Sequence, residues 1–134
     1  ETGMATVFIS HDLGAVSQVC ERVCVMYAGR IVEEGTIGQL FSEPRHPYTR
    51  GLFDAIPRID GPRNRLIPIP GTVPNPKSMP FGCAFEPRCG HASKSCGHER
   101  PALSSMEDGR RLACFSPVPP ARSQSLKTMI LEGA

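Results

Sequence analysis

The sequence predicts an α/β fold over its first sixty residues, running strand, helix, β-hairpin and short helices, followed by a small irregular tail anchored by cysteines. Two observations carry that prediction. Composition changes near Asp60: residues 1–60 have a formal charge of −3 and residues 61–134 one of +5, and eleven of the fourteen prolines lie in the second part. In addition, four of the six cysteines, Cys83, Cys89, Cys96 and Cys114, sit in one polar stretch with spacing C-x5-C-x6-C-x17-C. Between Gly82 and Phe115 the large apolar residues are few: Phe85, Leu103, Met106, Leu112 and Phe115. A segment so short of core needs cross-links, either disulfides or a metal centre.

Each element has its own signal. Ala5 to Ser10 is a short β-branched and aromatic run suited to a central strand, which needs neighbours on both sides. Asp12 can cap a helix in which Val16, Val19, Cys20 and Val23 recur on one stripe, making Cys20 a small core residue; Cys24, opening the next strand, reads the same way. Val23–Tyr27 and Arg30–Gly35 flank Ala28-Gly29 as a hairpin. Thr36 and Gln39 form a capping box opening a helix through Phe41, which Pro44 interrupts. A further helix starts at His46-Pro47-Tyr48-Thr49, turns Leu52, Phe53 and Ile56 inward and stops at Pro57. From Leu66 to Pro76 the prolines remove too many donors for an interior strand, so this stretch is expected to lie extended over a surface. Leu126 to Leu131 could form a frayed helix in a polar tail, 118–134.

No apolar run reaches the ~18–20 residues of a membrane span, and no basic-then-hydrophobic leader opens the sequence. The expectation is a cytosolic chain, the C-terminal piece of something longer, whose thiols bind metal in preference to forming disulfides. Four thiolates can hold a zinc ion or an iron–sulfur cluster, and spacing alone leaves both open. C-x2-C pairs are absent, and the wider gaps favour a larger centre. His91 and His98 could substitute as ligands but read first as solvated loop residues. A nucleic-acid-binding knuckle using Arg88, Arg100, Arg110 and Arg111 is disfavoured, because the basic residues are scattered and only Phe81, Phe85 and Phe115 could stack on bases.

The order of motifs adds a resemblance. Phe8-Ile9-Ser10-His11-Asp12, then a helix, then Val25-Met26-Tyr27-Ala28-Gly29-Arg30-Ile31-Val32-Glu33-Glu34-Gly35, resembles the end of a P-loop ABC-type ATPase domain. His46-Pro47-Tyr48-Thr49, Ile69-Pro70-Gly71 and Gly82-Cys83-Ala84-Phe85-Glu86-Pro87-Arg88-Cys89 are similar to the ATP-binding subunit of oligopeptide/dipeptide importers. The resemblance extends to about Pro117. Two positions depart from the family pattern: Gly90 where proline is usual after the second cysteine, and Arg110 where a histidine often precedes the last.

That resemblance implies three regions: residues 1–60 finishing the nucleotide-binding domain, 61–117 a cysteine-anchored module, and 118–134 a tail. It implies that His11 is the switch histidine, placed to touch the terminal phosphate of ATP, where a donor stabilises the charge spread over the phosphoryl oxygens. It implies a [4Fe–4S] cluster on Cys83, Cys89, Cys96 and Cys114, with zinc as the alternative and a structural or regulatory role. In the full-length protein ATP and Mg would be bound upstream. A second ATPase subunit and membrane permease subunits would be partners at the cytoplasmic face of the inner membrane, with no nucleic acid involved. No G-x-x-x-x-G-K-[ST] loop, Walker B strand or Ser-Gly-Gly signature occurs, so the chain alone is expected to be inactive. The competing expectation is a free-standing zinc-binding interaction module without enzymatic activity.

Overall fold

The computed structural model describes residues 3–56 and 66–120; the expected boundary at Asp60, the stop at Pro57 and the helix at Leu126–Leu131 lie outside the described residues. Its centre is a four-stranded antiparallel sheet in the order β1-β2-β4-β3. Strands β1 (Arg22–Tyr27) and β2 (Arg30–Thr36) form the expected hairpin. Ala28 and Gly29 turn it, both at positive φ (47° and 79°), the two-residue geometry whose twist matches antiparallel strands. Strands β3 (Ser104–Ser105) and β4 (Arg111–Leu112) come from the tail and extend the hairpin's sheet, β4 pairing directly with β2. The tail is therefore less irregular than its composition predicts.

A register shift between Val25 and Met26 decides what β2 buries. An irregularity there breaks strict alternation, and the consecutive residues Val32 and Glu33 are both buried. Val25 and Tyr27 of β1 point to the same core, where Leu40 and Phe85 meet them. Cys24 alternates outward and is exposed, against the core position expected of it.

Helix α1 (Leu13–Val19) is capped by Asp12, whose Oδ1 accepts from the Ala15 amide at 3.1 Å. Its apolar stripe is only partly covered: Val16 is buried, but Val19 is 65% exposed. The strand expected over Ala5–Ser10 does not form, and Met4, Val7 and Ile9 are exposed. The physical reason is the one that made the segment read as a central strand. Its backbone needs ladders on both sides, and no strand among the described residues lies beside it.

Helix α2 (Ile37–Ser42) opens on the expected capping box, with Gln39 N–H donating to Thr36 Oγ1 at 3.2 Å and Thr36 N–H to Gln39 Oε1 at 2.9 Å. Helix α3 (Pro47–Asp54) has Pro47 in its first turn and His46 as its cap. His46 Nδ1 accepts the Tyr48 amide at 3.0 Å, so the neutral ring carries its proton on Nε2. Burial pushes this imidazole down to about 4, because a second proton would have to go on Nδ1, where it would also abolish the cap.

This lowered value gives a pH prediction. Unfolded His46 takes a proton near pH 6.5 and the folded residue only near pH 4, so the unfolded state binds more protons between them. Stability is complete above about pH 6.5 and falls as pH drops toward 4, by an amount on the order of 3 kcal/mol. Thermal melts from pH 7.5 to 4 are expected to show that slope, and His46→Asn, which retains a capping oxygen, is expected to flatten it relative to the parent chain.

Candidate functional site

The four tail thiols arrive on two pieces of chain. Cys83, Cys89 and Cys96 come from one compact loop that contains a 3-10 turn (Glu86–Arg88) and helix α4 (Lys94–His98). The loop closes on itself through the Cys83 amide, which donates to the Cys96 carbonyl at 2.8 Å. Cys114 instead follows β4, and the chain on either side of it is pinned to the hairpin unit: Ala113 N–H donates to Val32 O at 2.9 Å and Val118 N–H to Arg45 O at 2.8 Å.

Phe85 sets the loop on the hairpin. Its ring packs edge-on to Tyr27, with centroids 5.2 Å apart, and lies 5.5 Å from Tyr48 and 5.9 Å from His46. Arg88, one residue before Cys89, donates from Nε to Pro70 O at 2.8 Å and from Nη1 to the Tyr27 hydroxyl at 3.2 Å, while its guanidinium lies over the Tyr27 and Phe85 rings. The extended Ile69-Pro70-Gly71 segment is thus laid across the core as expected, with Ile69 packed against it. A groove of about 450 Å³ between hairpin and tail, lined in part by Arg30, Val32, Cys83, Arg100 and Ala113, brings solvent to the first thiol.

All six cysteines are free thiols. Burial pushes the Cys114 thiol up to about 11 and also raises Cys83 and Cys89; each of the three is further raised by neighbouring thiols of the set. Backbone hydrogen bonding partly offsets that rise, from Phe85 and Glu86 at Cys83, from His91 at Cys89 and from Ser116 at Cys114. Ser93 N–H approaches Cys96 Sγ at 3.4 Å, and the Ser93 hydroxyl lies equally close. Amide donors to sulfur stabilise the anionic form and tune metal–thiolate centres. Among the described residues no three Cys, His, Asp or Glu side chains converge closely enough to hold a single ion.

The other expected site residues lie elsewhere. His91 and His98 are exposed on the loop surface. His11 is exposed on the segment before α1, next to the capping Asp12. Arg110, noted in the sequence as a departure and as one of the basic residues of the disfavoured knuckle, is 2% exposed, and Glu33 was not singled out at all. Arg110 Nη1 lies 3.3 Å from Glu33 Oε1 and donates to Glu43 O at 2.6 Å; Nη2 reaches the Glu43 carboxylate at 3.5 Å and Nε the Asp108 carboxylate at 2.6 Å. Glu33 in turn accepts from the Arg45 and His46 amides, both at 2.9 Å. The one sequence signal was two successive glutamates inside a β-branched strand.

Gly82 is where the loop tolerates least. A Cβ there would overlap the Cys96 carbonyl oxygen, the acceptor that closes the loop. Gly82→Ala is expected to open the Cys83–Cys96 bond, destabilise the fold by about 1–3 kcal/mol and speed thiol labelling of Cys96, read by melting and by reaction with a thiol reagent. Gly90→Ala, where a Cβ meets nothing within 4 Å, is the control expected to leave both unchanged.

Comparison with known proteins follows the same motifs. A family described as "Oligopeptide/dipeptide transporter, C-terminal region" matches residues 32–96. The chain is 46% identical over 116 residues to the dipeptide transport ATP-binding protein DppF of Haemophilus influenzae, a match covering 86% of this chain and 36% of that protein. It is 45% identical over 118 residues to the oligopeptide transport ATP-binding protein OppD of Salmonella typhimurium, covering 88% and 35%. With the oligopeptide transport ATP-binding protein AppD of Bacillus subtilis the identity is 48% over 109 residues, covering 81% and 33%. The chain spans about a third of the length of these curated relatives.

Proposed function

We propose a function from one premise: the chain belongs with the ATP-binding subunits of oligopeptide and dipeptide importers, matching their C-terminal region. In this reading it is the C-terminal portion of such a subunit, coupling ATP hydrolysis to peptide uptake at the cytoplasmic face of the membrane. A second ATPase subunit and permease subunits are its partners. Among the described residues no helix is long and apolar enough to cross a membrane, which fits a peripheral subunit. The observation that carries the proposal is the identity, 45–48%, running across both the hairpin and the tail.

His11 is the proposed catalytic residue. An imidazole just ahead of a capped helix can donate to a terminal phosphate while the backbone holds the ring. ATP and Mg would be bound by the parts of the subunit that precede His11 in the family. The domain reading follows: residues 1–60 finish the nucleotide-binding domain, 61–117 form the cysteine-anchored module, and 118–134 trail from it.

Cys83, Cys89, Cys96 and Cys114 are the proposed ligands of a [4Fe–4S] cluster, with zinc as the alternative. Support comes from the Ser93 amide 3.4 Å from Cys96 Sγ and from the electrostatic reach of the thiols toward one another. A bound centre would supply the cationic charge that draws protons from these thiols; the chain's own part is to aim, desolvate and hydrogen-bond the sulfurs. The free-standing knuckle is weaker, because Arg88 and Arg110 are committed to internal contacts.

Two outcomes test the proposal. The purified chain is expected to show no ATP turnover in a phosphate-release assay, whereas His11→Ala in the full subunit is expected to lower turnover by about 10²-fold or more; turnover by the chain that His11→Ala abolishes would refute the division of labour. Anaerobic purification is expected to give a coloured protein with iron and sulfide in equal amounts near ~4 each, lost together when the four cysteines become serine. One zinc and no colour selects the alternative.

A further inference from the structure

The groove between the hairpin turn and the tail holds about 450 Å³, within the range of about 300–1,000 Å³ that small-molecule sites occupy. Its floor is apolar: Val32, Phe85 and Ala113 are buried, and Leu103 is half-buried beside them. The charged side chains that line it are Arg30, at the start of β2, and Arg100, just after α4, and no Asp or Glu joins them. Glu99, next to Arg100 in sequence, is not part of the lining. Neither cation has an acidic partner among the described residues, whereas Arg22, Arg50, Arg110 and Arg111 each have one. Arg100 makes one long contact, from Nε to the Gly82 carbonyl at 3.5 Å. Two guanidinium forks thus reach an apolar hollow with most of their donors unused.

We propose that this groove binds a small amphipathic anion, a carboxylate or phosphate on a short alkyl chain. Arg30 and Arg100 hold the head, because a planar guanidinium matches two oxygens of either anion and bonds charged acceptors more strongly than neutral ones. The chain lies on Val32, Phe85 and Ala113, where each methylene taken out of water strengthens binding about fourfold. The lining also selects against a zwitterion such as a free dipeptide, whose ammonium would find no carboxylate there. The site is therefore separate in chemistry from the peptides named for the relatives, and it needs neither ATP nor the thiols.

Isothermal titration calorimetry tests this on the full-length subunit and on the chain, with sodium octanoate and octyl phosphate as probes. At least one probe is expected to bind both proteins, and the tighter of the two identifies the head group. The same head on a six-carbon chain is expected to bind about tenfold more weakly. Octanol, which lacks the charge, is expected to bind at least about tenfold more weakly than the better probe, and Arg30→Gln/Arg100→Gln is expected to lose the same factor. Both arginines are exposed, so the double variant is expected to melt with the parent. Should it fail to accumulate folded, Arg30→Gln alone is expected to weaken binding several-fold. Failure of both probes to bind overturns the proposal, as does octanol that binds as well as octanoate, or a folded variant with the parent's affinity. Binding by the chain but not by the subunit overturns it too, since the groove would then be covered by the rest of the protein. None of these results bears on the family to which the chain belongs.

Discussion

A fully buried carboxylate organises this molecule. Glu33 has no exposure to water, yet four groups from three places in the chain converge around it: two amides at the start of α3, the Arg110 guanidinium and, through that guanidinium, the Glu43 backbone. Taking such a charge out of water is costly, and it is tolerated only where attraction and hydrogen bonds replace hydration. The bonds are made between segments distant in sequence, so the carboxylate keeps its partners only while hairpin, α2–α3 turn and tail are all in place. A buried pair of this kind is weak evidence for stability but specifies arrangement, since a slipped register of β4 would strand one charge or both.

Around that polar junction the apolar contacts have an equally distributed origin. Tyr27 comes from β1, Tyr48 from α3, Phe85 from the thiol loop and Ile69 from the extended segment. Tilted and edge-on rings at 4.6–5.5 Å gain attraction beyond the area they bury. Arg88 lies over two of them and satisfies carbonyls of the extended segment. The motifs that looked separate in the sequence are therefore parts of one contact. This explains how a loop with so little core of its own acquires a fixed position: it borrows the hairpin's.

What could be read from the sequence divides along physical lines. The hairpin, the capping box at Thr36 and the helix from Pro47 depend on neighbours within four residues or on one pairing, and they form as expected. The segment Ala5–Ser10 has strand chemistry, but chemistry of that kind is realised only by neighbouring strands, and without them it stays open. Cys24 was misplaced because a small thiol reads as core by type, whereas alternation from Val23, Val25 and Tyr27 turns it outward. Glu33, His46 and Arg110 were the hardest to foresee. A glutamate, a histidine and an arginine ordinarily signal surface, and nothing local reveals that they will face one another across 77 residues of chain.

The electrostatics of the tail thiols contain a mismatch that bears on their use. Burial holds Cys83, Cys89 and Cys114 protonated at neutral pH, while backbone hydrogen bonding pulls the other way. A neutral thiol accepts such bonds weakly, so the donors gain little in that state; a thiolate would gain much more. Ionising Cys83, Cys89 and Cys114 together would place half-buried anions near one another, and they would repel. The proposed centre would supply a positive charge there, and its entry would release protons and favour binding as pH rises.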